Sequence, residues 1–369
     1  MLEFLNPKIC GFGIDLSDLS IKIIRLKKRG ANFELASLGR QEINEGLIEE
    51  GEIKKEAELI ETIKKAIAGV KGKALNTKYC IVSLPETESF VRVVQLPMLS
   101  KNEVADALKW ELEAHIPLAL EEIYYDWQII GPSAKTKSAA KQGINVLIGV
   151  LPKKTVDPYL DVLKKAGLKP YIFEIESIAT VRALVKEGPC EETQVIIDLG
   201  AKRTSLLISC GQTIYFTTSV SISNNSLVQI LSDELGISKE KAKAIKLKVG
   251  IDYRHAKSRV FEVFKKPLTE LSGQTKNYID FYHEHILPSF QTSKVNRVLL
   301  CGGGANIKGL PEFLSSELEL PVEIGNPWVN ALEDAHAIPG LPFEESLAYT
   351  TAFGLALRSH NQQQKRQKQ

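Results

Sequence analysis

Two segments of the chain share one hydrophobic pattern. CGFGIDLSDLSIKIIRLKK, Cys10 to Lys28, is apolar up to Leu16 except for Asp15, becomes polar through Ser17 and Asp18, and resumes as an alternating apolar stretch from Leu19. VIIDLGAKRTSLLISCGQTIYF, Val195 to Phe216, repeats the plan: an apolar run, Asp198, a tight turn, Thr204 and a second apolar run. Short apolar runs bounded by small polar residues predict strands. Each segment is therefore read as a β-hairpin whose first strand ends on an aspartate.

Between the two hairpins the period alternates. Phe33 to Leu38 predicts a strand, and EAELIETIKKAIAGVKG predicts a helix from Leu59, Ile63, Ile67 and Val70 at helical spacing. Tyr79 to Leu84, Phe90 to Leu96 and Ile144 to Val150 predict strands. LSKNEVADALKWELEAHIPL predicts a helix capped by Ser100, with Glu103 at the capping-box position and Val104, Leu108, Leu112 and Ile116 facing a core. Gly131 to Gly143, rich in Ser, Ala and Lys, is read as a flexible loop, and KTVDPYLDVLKKAGLKPYIFEIES as a helix and strand. The second half predicts helices at SLVQILSDELGI, at 239–248 and from Ser258 to about Ile286. It closes on a strand, RVLLCGGG, before a helix near Leu310, and ESLAYTTAFGLALR predicts a last, small-residue helix. Strands alternating with helices over 369 residues give an α/β class and more than one core. Two related halves with a cleft between them are the natural architecture.

Charge narrows the partners. Forty-seven basic against 45 acidic residues argue against a nucleic-acid surface, and the basic stretch from Arg358 to Gln369 is read as a solvated end. MLEFLNPK is too short and acidic for a signal peptide, and no apolar run approaches the roughly 18 residues a membrane span needs. A cytoplasmic protein is expected. Of five cysteines, Cys10, Cys80, Cys210 and Cys301 lie in strand-like runs that suit buried thiols in a reducing compartment.

The hairpins carry the candidate chemistry. A tight turn after a strand aims backbone N–H groups at one point and can cradle phosphate. An aspartate beside it suits hydrated Mg2+ rather than the phosphate itself, which makes Asp15 and Asp198 candidates; the alternative is that each is the turn residue of its hairpin. Gly302, Gly303 and Gly304 in CGGGAN would let backbone approach a nucleotide closely. His283 and His285 lie about 200° apart on a helix and cannot share a metal there. Trp110 and Trp127 are read as core residues by default, although an exposed tryptophan could anchor a peptide.

GIDLSDLSIK, IDLGAKRTSLLI and LCGGGANIKGL resemble the two phosphate hairpins and the adenosine loop of the actin-like ATPases. FVRVVQLPMLSKNEVADALKWELEAHIPLALEEIYYDW is similar to the subdomain that the PilM family of type IV pilus assembly proteins and the related FtsA carry in place of the usual actin subdomain. The resemblance covers nearly the whole chain. It implies an actin-like ATPase fold, with two RNase H-like lobes, a nucleotide cleft and an inserted 1C subdomain, and ATP with Mg2+ as ligands. It places Asp15, Ser17, Ser20 and Lys22 at the first phosphate contact, Asp198, Gly200 and Thr204 at the second, and Lys246 with Gly302, Gly303 and Gly304 around the nucleoside. Asp15 and Asp198 would hold the metal, Glu176 would orient the attacking water, and Asp198 would share in the catalytic set.

The implied segments are 1–85 and 171–190 for the first lobe, 86–170 for the insertion, 191–223 and 295–343 for the second lobe core, 224–294 for its outer subdomain, 344–358 for a helix returning to the first lobe, and 359–369 for a disordered tail. The implied partner is the cytoplasmic tail of a PilN-like membrane protein, met near Arg92, which would hold the chain at the inner face of the membrane. A pilus motor ATPase and a second copy of the chain are further implied partners, and nucleic acid is not. Departures also stand out. Ser17 and Asp18 occupy a turn that is usually glycine-bearing, Lys243 stands where an acid is usual, and Ser223 to Ser226 replace a glycine pair. ATP binding with slow or absent hydrolysis is the expectation. The alternatives are an FtsA-like division protein, although SHNQQQKRQKQ has no apolar face; a nucleotide-free adaptor; and a small-molecule kinase, for which no separate substrate motif stands out.

Overall fold

The computed structural model describes residues 11–30, 32–130, 143–188, 190–255, 258–286, 293–332 and 340–366. Its chain divides into two compact units, one formed by 1–89, 151–186 and 326–369, the other by 90–150 and 187–325.

The first unit is built on a six-stranded sheet. Its strands are β1 (Phe12–Leu16), β2 (Ser20–Arg29), β3 (Asn32–Glu42), β6 (Lys71–Gly72), β7 (Tyr79–Leu84) and β11 (Lys169–Ile175), in the order β11-β7-β1-β2-β3-β6; a small ribbon, β4 (Ile48–Glu49) with β5 (Glu52–Ile53), stands apart. β1, β7 and β11 run parallel, and β2 returns antiparallel to β1. Helix α1 (Glu56–Ala68) packs on β2 and β3 and against α3 (Lys153–Lys165), while α4 (Glu176–Leu184) packs against the C-terminal helix, a short turn α9 (Phe343–Ser346) followed by α10 (Thr350–Arg366). Strand alternation explains the layers. Ile24 and Leu26 join Trp328, Phe353 and Ala356 in one cluster, whereas Ile21 and Ile23 are fully buried on the other face. α10 lies on β1 because Gly13 has no side chain: a Cβ there would come within 2.5 Å of the Ala352 carbonyl. Glu174, at the core of this packing, accepts two bonds from Arg182 (2.5 and 2.6 Å) and one from Arg358 (2.8 Å), joining β11, α4 and α10.

The second unit holds two sheets. The smaller, of order β8-β10-β9, comprises β8 (Phe90–Leu96), β9 (Ile123–Ile130) and β10 (Ile144–Pro152), with α2 (Lys101–His115) closing its core through Val104, Leu108 and Leu112. The capping box forms as expected: Glu103 accepts from the Ser100 amide at 2.7 Å. The larger sheet, of order β14-β13-β12-β15-β16, comprises β12 (Thr193–Leu199), β13 (Thr204–Cys210), β14 (Thr213–Val220), β15 (Val295–Cys301) and β16 (Val322–Ile324). Helices α5 (Asn224–Leu235), α6 (Lys239–Lys248), α7 (Arg259–Phe281) and α8 (Leu310–Leu318) pack around it.

Several expectations need correction. The excursion from the first sheet ends near residue 150 rather than Pro170, because β11 hydrogen-bonds to β7 in parallel and α3 packs on α1. Strand β9 is absent from the sequence reading; six of its eight residues are half-buried or exposed, which blurs the two-residue period. The helix expected to end at 358 continues to Arg366, anchored by Ser359, whose hydroxyl donates to the Ala356 carbonyl, and by His360, whose Nε2 meets the Leu26 carbonyl at 3.1 Å. Cys210, expected as a free thiol, forms a disulfide with Cys190, with Cα atoms 5.0 Å apart. Cys80 and Cys301 are buried thiols, and burial pushes the Cys80 thiol up to about 12. Cys10, the MLEFLNPK segment and nearly all of the 131–143 loop lie outside the described residues.

Candidate functional site

The two hairpins share one geometry. In the first, Asp15 pairs with Lys22 and Leu16 with Ile21; in the second, Asp198 pairs with Ser205 and Leu199 with Thr204. Each aspartate is therefore the penultimate residue of a strand that also has a parallel neighbour, β7 for β1 and β15 for β12. That position, at the carboxyl end of parallel strands, is where open α/β sheets carry their ligands.

In the first unit Asp15 is 5% exposed. Its carboxylate accepts from Lys22 Nζ at 2.9 Å and from the Ser83 hydroxyl at 3.1 Å, while the same hydroxyl accepts from the Leu16 amide. Ser17 closes the turn, its amide and hydroxyl both donating to the Ser20 carbonyl, and the two hydroxyls lie 3.2 Å apart. Asp18, read from sequence as an added charge near the phosphates, accepts from the Gly51 amide at 3.0 Å and ties the β4–β5 ribbon to the turn. Glu176 opens α4, and its carboxylate accepts from the Glu86 amide at 3.3 Å. Asp15, Ser17, Ser20, Lys22 and Glu176 thus lie at one end of one sheet, and Glu86, which the sequence reading passed over, belongs with them. Its place just after β7 was the available signal.

In the second unit the predicted residues form a contiguous cluster. Gly302, at φ +81°, leaves no room for a Cβ beside the Asp198 carboxylate, and the Gly304 amide donates to the Leu199 carbonyl at 2.9 Å. Gly303 is exposed between them. Gly200 lies in the turn, where a Cβ would come within 2.8 Å of the Arg203 carbonyl. Thr204 is fully buried and donates its hydroxyl to the Ile222 carbonyl at 2.6 Å. The start of α5 bends onto the hairpin: the Asn224 amide donates to the Gly200 carbonyl (2.9 Å) and the Asn225 amide to that of Ala201 (3.1 Å).

Lys246, 4% exposed, donates to Asn224 Oδ1. Burial, aided by the Lys243 charge, pulls its amine down to about 8. Asn224 was read from sequence only as the loss of a glycine; the fold makes it the partner of the buried cation.

Other candidates separate from this cluster. Arg92 is exposed on β8, opposite Ile148 of β10. Trp110 is 75% exposed on α2, against its default reading, while Trp127 packs partly into the small core. His283 accepts from the Val295 amide at 3.1 Å in a π-helical turn, and among the described residues no group of His, Cys, Asp or Glu is arranged to hold a metal by itself.

The sequence model of the family described as "Type IV pilus assembly protein PilM" matches residues 13–360. The chain belongs to this family. A solved PilM-PilN type IV pilus biogenesis complex is similar over 96% of this chain and 99% of that one, with a TM-score of 0.76 and 21% identity. The ethanolamine utilization protein EutJ from Carboxydothermus hydrogenoformans matches 94% of this chain and 89% of its own at a TM-score of 0.54 and 15% identity. MreB 5 of Spiroplasma citri bound to AMPPNP matches 97% and 98% at a TM-score of 0.51 and 12% identity. By sequence, the cell division protein FtsA of Borreliella burgdorferi is 22% identical over 218 residues, 54% of this chain and 51% of that protein. The chain spans about half the length of this curated relative. The fold is that of the actin-like ATPases. Among the described residues no helix is long and apolar enough to cross a membrane.

Proposed function

We propose that this PilM-family chain is an ATP-binding scaffold of type IV pilus assembly that recruits the cytoplasmic tail of a PilN-like membrane protein and so works at the inner face of the membrane. The family match over 13–360 carries the reading. The similar pilus complex, solved with PilN, supports the partner class, and the AMPPNP-bound neighbour supports the nucleotide class. Arg92, exposed at the edge strand of the small sheet, is the residue proposed to meet the tail.

The residues present fit a nucleotide. Gly302 and Gly304 let the glycine run lie directly against Asp198 and Leu199, closer than any Cβ would allow, so that its backbone adjoins the second hairpin. Asp198 and Asp15 would hold Mg2+, which supplies charge neutralisation for the phosphates. Gly200 and Thr204 in one hairpin, and Ser17, Ser20 and Lys22 in the other, would position them. Lys246 and the glycines 302–304 would flank the nucleoside, and Glu176 would orient water. Two features argue for holding ATP rather than turning it over rapidly. The first amides of α5 are spent on the Gly200 and Ala201 carbonyls, and the buried amine of Lys246 is held by Asn224.

The test is an ATP titration by calorimetry with and without Mg2+. Asp198→Ala should abolish the Mg2+-dependent part of the affinity while leaving binding of a PilN-like tail peptide in place. Equal affinity in variant and parent would remove the second hairpin from the site.

A further inference from the structure

The first unit is electrically polarised along its strands. At the end of the sheet away from Asp15, β2 finishes with Lys27, Lys28 and Arg29, all exposed. The strand register places Lys27 opposite Glu34, and Glu34 is itself 3.7 Å from Lys73. β6 adds Lys71, paired with Leu38, and the Lys73 amide donates to the Ala36 carbonyl. The parallel strands begin at this same edge: Lys78 precedes β7, and Lys169, whose amide donates to the Lys78 carbonyl, opens β11. Among the described residues no ion pair joins Lys27, Lys28, Arg29, Lys71 or Lys78 to a carboxylate, and Glu34, across the strand from Lys27, is engaged by Lys73.

The opposite end is acidic. Ser20 pairs with Glu42 there, and Glu45, Glu49, Glu50 and Glu52 follow. Of these, Glu42 is matched by Arg40 (2.8 Å) and Glu52 by Lys54 (2.7 Å). From Ser20 to Arg29 the strand spans about 30 Å, several times the screening length of about 8 Å at physiological salt.

The C-terminal helix points toward the basic end. Its residues 352 and 356 lie over Gly13, which is paired with Ile24, while His360 reaches Leu26, further toward Arg29. The backbone helix continues to Arg366, through a sequence carrying Lys365 and Arg366.

We propose that this basic end of the first sheet is a docking face for an anionic phospholipid surface. A planar negative surface is met end-on by a unit with this polarity, with cations at the contact and carboxylates a strand-length away. Nucleic acid fits less well. The aromatic residues at this end are packed on one another, Phe33 on His360 at 4.9 Å and Tyr79 edge-on to Tyr171 at 6.2 Å, instead of being offered for base stacking. The inference rests on the reading that the chain works beside a membrane protein, and adds a direct lipid contact to the one made through the partner.

The experiment is vesicle flotation of the full chain with phosphatidylcholine vesicles containing 30% phosphatidylglycerol, against pure phosphatidylcholine. Binding should require the anionic lipid and weaken by at least about tenfold between 50 and 200 mM salt. The triple variant Lys27→Glu/Lys28→Glu/Arg29→Glu should lose at least about tenfold in affinity with an unchanged melting curve. Lys71→Glu/Lys73→Glu, at β6 on the far side of β3, should lose less. Equal binding to both vesicle types, no effect of the triple variant, or displacement from vesicles by duplex DNA at equal charge concentration would each overturn the proposal. PilN-like peptide binding is measured in the same samples without lipid. Its failure alone would remove the scaffold reading and leave the lipid contact standing, whereas failure of flotation alone would do the reverse.

Discussion

Replacing Lys246 by methionine should stabilise the protein at neutral pH and cease to do so at alkaline pH. The lysine is 4% exposed, and burial lowers its amine from 10.5 to about 8. At about 1.4 kcal/mol per tenfold, holding it protonated in the fold at pH 7 costs about 3 kcal/mol. The sign follows from proton linkage. Below the folded value both states carry the proton and the full penalty applies; between about 8 and 10.5 the unfolded chain binds the proton and the folded chain releases it, so stability rises with pH.

By pH 9.5 the remaining penalty is about 1.4 kcal/mol. Methionine keeps the length and apolar stem but leaves Asn224 Oδ1 without this donor, a loss of about 1 kcal/mol that does not depend on pH. The net gain should be about 2 kcal/mol at pH 7 and near zero at pH 9.5. Urea unfolding of parent and Lys246→Met at the two pH values, followed by circular dichroism, measures this difference. A difference that is the same at both pH values would refute the reasoning, because it would show that the amine carries no buried charge at neutral pH.

Two further outcomes follow from buried features away from the site. Glu174→Gln removes the carboxylate that Arg182 and Arg358 share and leaves two cations facing a buried amide. The expected loss is about 3 kcal/mol, read as a lowered urea midpoint, and a variant as stable as the parent would show that the network is solvated. In protein purified without reductant, alkylation after unfolding should label Cys10, Cys80 and Cys301 but not Cys190 and Cys210, whose bridge closes a separation of 20 residues; labelling of all five would exclude it.

The chain's local pattern was enough to find both hairpins, the strand before the glycine run, the capped helix after Ser100 and the core stripe Val104, Leu108 and Leu112. Each rests on periodicity or capping within a few residues, which the chain carries wherever it folds. Glycines 302 and 304 were also legible, because a run of glycines after a strand signals close backbone approach, and the fold places both against the Asp198 hairpin.

What only the tertiary structure decided is how distant residues meet. Asn224 and Lys246 are 22 residues apart, and their contact arises because α5 and α6 pack together at the end of the second sheet. Asp18 read as an unwelcome charge until Gly51, 33 residues away, supplied its amide. Glu86 gained its place beside Glu176 from the parallel pairing of β7 with β11, across 90 residues. The same pairing, with α3 packed on α1, assigned residues 151–170 to the first unit, where the sequence reading had grouped them with the insertion. The basic edge is likewise invisible in a near-neutral composition. Lysines of β2, β6 and β11, and the one that precedes β7, gather there because strand direction and register, which are set by long-range hydrogen bonds, bring four separate sequence segments to one end of one sheet.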